Sequence, residues 1–464
     1  MRVHFIGVGG RAMGGIAIAL AAAGHAVSGS DEDLYEPMRG CLARAGVRVD
    51  PYDPALVPRH VDAVVVGRRV TPDNRQLLDV LARGLPVQSF PAFLRSRFLH
   101  RSRNAVVAGG VGKTTTTAML AWILERAGLG PDYLIGGIAH GFSAPARFTG
   151  AGLTVLEGDE YASGIDDASP KFLHYEPELM LVTNVLDDHP DLYPDGRGLL
   201  DAFATLAAQL PAHGCLVLPS DDAAAMPLAA HARCAVVGTG LETGADHRIM
   251  DVRLSAAGSS FALADVPFFV SMHGVMNVRN AAMAAVGATH LGVPLQQSSR
   301  ALAEFEGLAG RQEARHVGGS TLVSDKATHP RSIAGLCEAL RQRYPGRRLV
   351  SVMQPRGTGG RRWIYQRELP AALAGFDKVI LTNPYEHRPA ACTPWQEEPF
   401  SADALADALC TRGVDVQLVP ALADIPAAVR DETRPGDVVL LSLREQFADW
   451  VAAIEDALAG RVTT

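Results

Sequence analysis

The stretch Ala105-Val106-Val107-Ala108-Gly109-Gly110-Val111-Gly112-Lys113-Thr114-Thr115 decides the fold class of this chain. The run Ala105–Val107 predicts a buried strand, the glycines a tight turn, and the residues through Leu124 a helix. A glycine loop between strand and helix turns backbone N–H groups toward a phosphate at the helix N-terminus. Lys113 supplies a point charge there, and the Thr114 hydroxyl a magnesium ligand. Gly109, Gly110, Gly112, Lys113, Thr114 and Thr115 are therefore the candidate phosphate cradle. Counted from Gly109, the loop is two residues shorter than the common G-x-x-x-x-G-K-[ST] form. A plain strand-to-helix turn with a solvated lysine is the alternative, and the agreement of loop, lysine, hydroxyl and flanks argues against it.

Outward from this loop, short β-type runs alternate with longer Ala/Leu-rich helical patterns, as at Val3–Val8, Ala63–Val66, Thr154–Leu156, Met180–Thr183, Leu349–Met353 and Lys378–Thr382. Such alternation predicts an α/β fold with parallel sheets covered by helices. The pattern resets at the basic stretch His100–Asn104 and again at the polar stretch Glu306–Gly319. Three domains are expected: 1–103, 104–310 and 311–464. The first carries its own glycine loop, Gly7-Val8-Gly9-Gly10, with Asp31 closing the second strand. By position this is a Rossmann-type fingerprint, in which Gly9 and Gly10 approach the ligand and Asp31 meets a ribose hydroxyl. Alone it points only weakly to a nucleotide, and glycines used for turn geometry are its plain alternative.

Two acidic segments, Glu157-Gly158-Asp159-Glu160 and Asp187-Asp188-His189, fall at strand ends after the phosphate loop. Carboxylates and an imidazole there suit magnesium, a hard cation that neutralises phosphate.

The 464 residues are 48% hydrophobic and 20% charged, with 43 Lys+Arg against 50 Asp+Glu. That mildly acidic balance argues against general nucleic-acid binding and against disorder. No apolar run approaches the roughly 18 residues of a membrane span, and no signal-peptide pattern precedes the first strand, so a cytoplasmic protein is expected. The six cysteines are scattered, without a Cys-x-x-Cys pair, and suggest neither a disulfide framework nor a zinc site.

The residues also carry a family resemblance. The chain resembles the Mur ligases, ATP-dependent amide-forming enzymes of peptidoglycan metabolism, over essentially its whole length. The resemblance rests on His4-Phe5-Ile6-Gly7-Val8-Gly9-Gly10, Tyr35-Glu36-Pro37-Met38, Met119-Leu120-Ala121-Trp122-Ile123-Leu124-Glu125, Leu134-Ile135-Gly136-Gly137 and Lys171-Phe172-Leu173-His174-Tyr175. Within the family it is most similar to the recycling branch, which joins a tripeptide to UDP-N-acetylmuramate. The resemblance implies a Rossmann-like first domain for the UDP-sugar acid, a central P-loop ATPase domain and a Rossmann-like third domain for the amino acid or peptide amine. It implies ATP and Mg2+ as cofactors, and a monomer or weak homo-oligomer without nucleic-acid or membrane partners.

By the same resemblance, Lys113 holds the γ-phosphate, Thr114 one magnesium, and Glu157 with His189 a second. Asn277 and Asn280 lie near adenine, while Arg311 and Asp325 reach ATP from the third domain. The chain also departs from the family. Gly110 and Val111 replace Thr and His in the loop, Met276 replaces a His, Thr328 replaces the first His of the third-domain motif, and Gln354–Gly360 differs throughout. These changes imply a divergent member whose substrates have room to differ, as in specialised metabolism; a non-catalytic nucleotide sensor and, from the first glycine loop alone, a nicotinamide oxidoreductase are rivals from other classes. After the strand Lys378–Thr382, Asn383-Pro384 is kept and Arg388 stands in for a lost arginine. Asn383 and Arg388 are thus candidate contacts for a carboxylate on the amine substrate, a solvated loop being equally compatible with the sequence.

Overall fold

In the computed structural model, which describes residues 1–34, 36–186, 192–193, 197–355, 363–384, 400–443 and 447–460, the short apolar runs build three sheets. The first is all parallel: β1 (Arg2–Ile6), β2 (Ala26–Ser30), β3 (Arg48–Asp50), β4 (Ala63–Val66) and β5 (Val87–Ser89), in the order β3-β2-β1-β4-β5. The order reverses between β1 and β4, which opens a crevice beyond their C-terminal ends. Gly7 lies there at φ +86°, and a side chain on it would press against Val70 and the backbone of Gly67.

The central sheet begins with β6 (Arg103–Ala108), β7 (Asp132–Leu134), β8 (Ala146–Arg147), β9 (Leu153–Glu157) and β10 (Pro177–Val182). It continues through β11 (Cys215–Pro219), β12 (Ala235–Gly240), β13 (His247–Ser255), β14 (Gly258–Leu263) and β15 (Val266–Val270). Its order is β15-β14-β13-β12-β11-β10-β6-β9-β7-β8, so β6 sits between β10 and β9. The third sheet, β16 (Glu313–Val317), β17 (Ser320–Ser324), β18 (Leu349–Met353), β19 (Lys378–Leu381), β20 (Asp415–Leu418) and β21 (Val438–Ser442), runs β16-β17-β21-β18-β19-β20.

The expectation of purely parallel sheets needs correction at the edges. β7 with β8, β13 with β14, β14 with β15, and β16 with β17 pair antiparallel. The polar stretch read as a break between domains contains β16. As an edge strand it is half or fully exposed, so it carries Arg315 and His316 instead of an apolar run.

The helices Lys113–Arg126 and Val275–His290 lie side by side across one face of the central sheet. Their close approach follows from small residues: Ala281, Ala282, Ala284, Ala285 and Ala288 are all fully buried, and Gly287 faces Leu181 of β10 so closely that a side chain would collide with it. One apolar cluster runs from the first domain into the central one, with the Phe98 and Phe148 rings tilted at 47° and their centroids 4.8 Å apart, and with Gly15 packed on Pro145 and Ala146. Among the described residues no helix is long and apolar enough to cross a membrane, and the cysteines are free.

Leu181 is fully buried under Gly287, where collapse of the packed surroundings is limited. Leu181→Ala is expected to destabilise the protein by about 2–5 kcal/mol, read as a lower denaturant midpoint; a loss below about 1 kcal/mol would show that the helix is not seated on this strand.

Candidate active site

Parallel register brings the chemistry together. β6 pairs Val107 with Glu157 of β9 and with Leu181 of β10, so the loop after β6 lies between the carboxylate of Glu157 and the segment Thr183–Asn184. The loop turns through Gly109 at φ +127° and Gly112 at φ +91°. A side chain on Gly109 would overlap Thr183 and Asn184, and one on Gly112 would come 2.6 Å from Asn280 Oδ1. Both glycines are therefore required by conformation and by space together. The helix that opens at Lys113 has no side-chain cap at its N-terminus, which leaves its positive end open to an anion.

Two of the loop amides do not face a phosphate position, contrary to the expectation from sequence. Gly110 N–H and Val111 N–H donate to Asn184 Oδ1 at 3.1 and 3.0 Å, and Asn184 Nδ2 returns a bond to the Val111 carbonyl at 2.7 Å. Thr183 Oγ1 donates to the same carbonyl at 2.7 Å. A free loop amide in a partly covered place needs a partner, and Asn184 offers both acceptor and donor at the right spacing. This residue was missed in the sequence: an asparagine one position beyond a strand has no pattern that distinguishes it from an ordinary turn residue.

Lys113 Nζ lies 2.9 Å from both Glu160 Oε1 and Oε2 and donates to the carbonyls of Gly109 and Gly110, the latter at 3.1 Å. Glu160, read from the sequence within an acidic segment suited to magnesium, is almost fully buried and partners the lysine. Thr114 Oγ1 donates to Glu157 Oε1 at 2.9 Å, and Gly136 N–H donates to Glu157 Oε2 at 2.6 Å. Thr114 and Glu157, predicted as metal ligands, are thus neighbours. His189 and Arg388 lie outside the described residues. Asn277 and Asn280 occupy the first turns of the helix Val275–His290; Asn280 Nδ2 donates to Asn277 Oδ1 at 3.2 Å, and Asn277 Nδ2 to the His273 carbonyl at 2.8 Å.

The neighbouring domains converge on the same place. Arg11, from the first domain, donates through Nη1 to the Gly136 carbonyl at 3.1 Å, so the Gly136 residue stands between Arg11 and Glu157. The connection into the third domain runs along the central one: His140 N–H donates to the Gly307 carbonyl at 3.0 Å and Ala309 N–H to the Ile138 carbonyl at 2.9 Å. Leu308 and Thr114 both lie against Gly137. Arg311 and Asp325 are brought together, Nη1 to Oδ1 at 3.7 Å, and Asp325 also accepts the amides of Gln312 and Ala327 at 3.0 and 2.8 Å. Gln312 exchanges two bonds of 3.1 Å with the backbone of His273, and Gln342 accepts from Gly274 N–H at 2.8 Å, fixing the third domain to the start of the asparagine helix.

In the first domain, Asp31 uses its oxygens on main-chain amides, accepting from Gly9 at 2.6 Å and from Asp33 at 3.1 Å. It therefore holds the glycine loop from behind; a ribose hydroxyl would have to share these acceptors. Asn383 is exposed just beyond β19, and Gly10 has open space about it.

The sheets, the glycine loop with its lysine and hydroxyl, and the two flanking domains define a three-domain α/β enzyme that works on a nucleoside triphosphate. Comparison with known sequences agrees at each domain: residues 2–101 match the Mur ligase family catalytic domain, 107–288 the Mur ligase middle domain, and 310–442 the Mur ligase glutamate ligase domain. The chain is 30% identical to UDP-N-acetylmuramate–L-alanyl-γ-D-glutamyl-meso-2,6-diaminoheptandioate ligase of Escherichia coli K12, over 99% of this chain and 98% of the relative. It is 34% identical to UDP-N-acetylmuramate–L-alanine ligase of Bordetella petrii, over 95% of each. A crystal structure of a murein peptide ligase from Psychrobacter arcticus superposes with a TM-score of 0.74, at 25% identity and 99% coverage of both chains. The chain belongs to the Mur ligase family and is an ATP-dependent ligase.

Burial pushes the Glu157 carboxyl above its usual range, and Lys113, the Thr114 hydroxyl and the Gly136 amide offset this only in part. Burial works against the Lys113 charge, but the carboxylates of Glu160, Asp159 and Glu157 outweigh it and raise the ammonium further. A carboxyl with a raised folded pKa binds more protons folded than unfolded, so its contribution to stability falls as pH rises through the usual glutamate range and above. In the ligand-free protein, Glu157→Gln is expected to remove this loss. The difference in Tm, variant minus wild type, should grow from about pH 4 to about pH 7; a difference that shrinks over that range would contradict the assignment.

Proposed function

We propose that this enzyme uses ATP and magnesium to activate the carboxylate of a UDP-N-acetylmuramate-type acid as an acyl phosphate, and then joins it to an amino acid or peptide amine. The observation that carries the reading is the convergence of Lys113, Thr114 and Glu157 at an uncapped helix N-terminus, with Arg11 of the first domain bonded to Gly136 beside Glu157. The named activities of the relatives support the choice of substrates.

A free carboxylate resists an amine because oxide is a poor leaving group. Transfer of the γ-phosphoryl group makes the leaving group phosphate. In this reading Lys113 exchanges Glu160 for phosphate oxygens and stabilises the charge that develops during transfer. Asn184 keeps the loop in shape, and the amides at the start of the helix Lys113–Arg126 bind phosphate. Asn280, against Gly112, lies on the nucleotide side, and Asn277 supports it. Gly9 and Gly10 line the crevice for the UDP-sugar, while Asn383, with Arg388, meets the amine.

Magnesium fits the donors present. Thr114 Oγ1 and a Glu157 oxygen 2.9 Å away are hard oxygen ligands, and a cation beside them would relieve the buried carboxylate. Bound there, the ion supplies charge neutralisation for the transferring phosphoryl group. The domain limits 1–103, 104–310 and 311–464 follow the same division of labour.

The test is ATP-dependent phosphate release with UDP-N-acetylmuramate across a panel of amines, including L-alanine and L-alanyl-γ-D-glutamyl-meso-diaminopimelate. Amine-dependent release with amide product supports the reading, and nucleotide binding without release for any pair would favour a sensor. Lys113→Ala is expected to lower kcat by at least roughly 10²–10³-fold with the thermal midpoint retained; near-normal turnover would remove the lysine from the mechanism.

A further inference from the structure

The geometry points to Arg68 as the residue that grips an oxyanion of the acid substrate where the first domain meets the central one. This rests on the reading of the first domain as the site of the acid. Arg68 belongs to the loop after β4, on the side of the switch-point crevice opposite the Gly7–Gly10 loop; Gly7 packs on Val70 and on the Gly67 backbone, so the two loops form the crevice walls. The position is the one where an open parallel sheet binds its ligand.

The side chain leaves the first domain altogether. Its guanidinium lies over the ring of Tyr161, 4.4 Å from the centroid, and Lys171 Nζ approaches the same ring at 5.6 Å. Tyr161 directly follows Glu160, the partner of Lys113. Arg68 therefore reaches from the acid crevice to the turn that holds the phosphate-binding lysine.

The two cations over this ring are not equivalent. Lys171 is neutralised by Asp159, Nζ to Oδ2 at 2.8 Å. The Arg68 guanidinium makes no hydrogen bond or ion pair among the described residues. A half-buried arginine whose guanidinium carbon sits over an aromatic ring, with no other partner among the described residues, has its N–H donors left for a carboxylate or phosphate, which a guanidinium can receive bidentately. The contact with the ring also removes much of the rotamer freedom that a flexible cation would lose on binding. Two anions of the acid lie within this chemistry: the carboxylate to be activated and the diphosphate.

The experiment measures affinity by calorimetry for UDP-N-acetylmuramate and for UDP-N-acetylglucosamine, which has the diphosphate but no carboxylate, together with steady-state KM values. Arg68→Ala should weaken UDP-N-acetylmuramate about ten- to hundredfold and raise its KM in step, with the KM for ATP and the thermal midpoint little changed. Arg68→Lys, which keeps charge without the fork, should recover only part of the loss. A loss confined to the muramate assigns Arg68 to the carboxylate, and a loss shared by both ligands assigns it to the diphosphate; either supports the proposal. Unchanged affinity for both overturns the role of Arg68 alone. Wild-type protein that binds neither ligand overturns the reading of the first domain, and this role with it.

Discussion

The structure depends on how one lysine charge is kept in a partly covered crevice without being used up. An ammonium withdrawn from water costs several kcal/mol unless it is paired and hydrogen-bonded. Lys113 has both kinds of partner, Glu160 and the two loop carbonyls, and the balance holds it charged. Those partners come from different strands, β6 for the loop and the turn after β9 for Glu160, so the charge is secure only while the parallel register of Val107 with Glu157 persists. The loop that carries the lysine is itself held by Asn184 beyond β10. Three neighbouring strands of the sheet thus serve one side chain, and the large central core serves those strands.

Much of this was legible in the sequence. Strand, glycine turn, lysine, hydroxyl and helix follow one another within 11 residues from Ala105 to Thr115, and local order of that kind survives folding unchanged. Glu157 was legible because it closes a strand. What escaped was whatever depended on contact between distant segments. Asn184 is an unremarkable residue until the register places it on the loop, Glu160 was read as one carboxylate of an acidic segment and not as the partner of Lys113, and no periodicity marks Gln312 or Gln342 as the clasp on His273 and Gly274. Asp31 was legible by position, yet its oxygens serve the amides of its own domain. The antiparallel strands β13–β15 escaped for a different reason: β13 alternates polar and apolar residues because one face is exposed, β14 opens on glycine and serine, and β15, Val266–Val270, is a short apolar run that carries a proline.

Chemistry through a reactive acyl phosphate requires the acid, the nucleotide and the amine to meet with water excluded, and no single sheet edge can surround all three. The contacts between domains are arranged accordingly. The Gly136 residue accepts from Arg11 through its carbonyl and donates to Glu157 through its amide, so the first domain and the carboxylate beside Thr114 share one glycine. A side chain at Gly136 would occupy the place of the Glu157 carboxylate, which explains why the bridging residue is a glycine. Apolar packing such as Phe98 on Phe148 holds these two domains with little freedom.

The third domain is joined differently. At the start of the asparagine helix it makes directional hydrogen bonds from Gln312 and Gln342, beside the packing of Met276 on Gly335 and of Gly274 on Ala339, around a chain segment that turns through Gly310 at φ +69° and Gln312 at φ +49°; Arg343 braces this segment from within the domain by donating to the Gln312 carbonyl. Hydrogen bonds exchange with water at small net cost, whereas a broad apolar interface does not. The first and central domains are thus joined through a shared apolar cluster, and the central and third mainly through hydrogen bonds. In the proposed reading, the acid and the nucleotide belong to the two domains that share that cluster. The amine, in the same reading, comes from the domain that Gln312 and Gln342 clasp to His273 and Gly274, so those two side chains set where its donor meets the other two substrates.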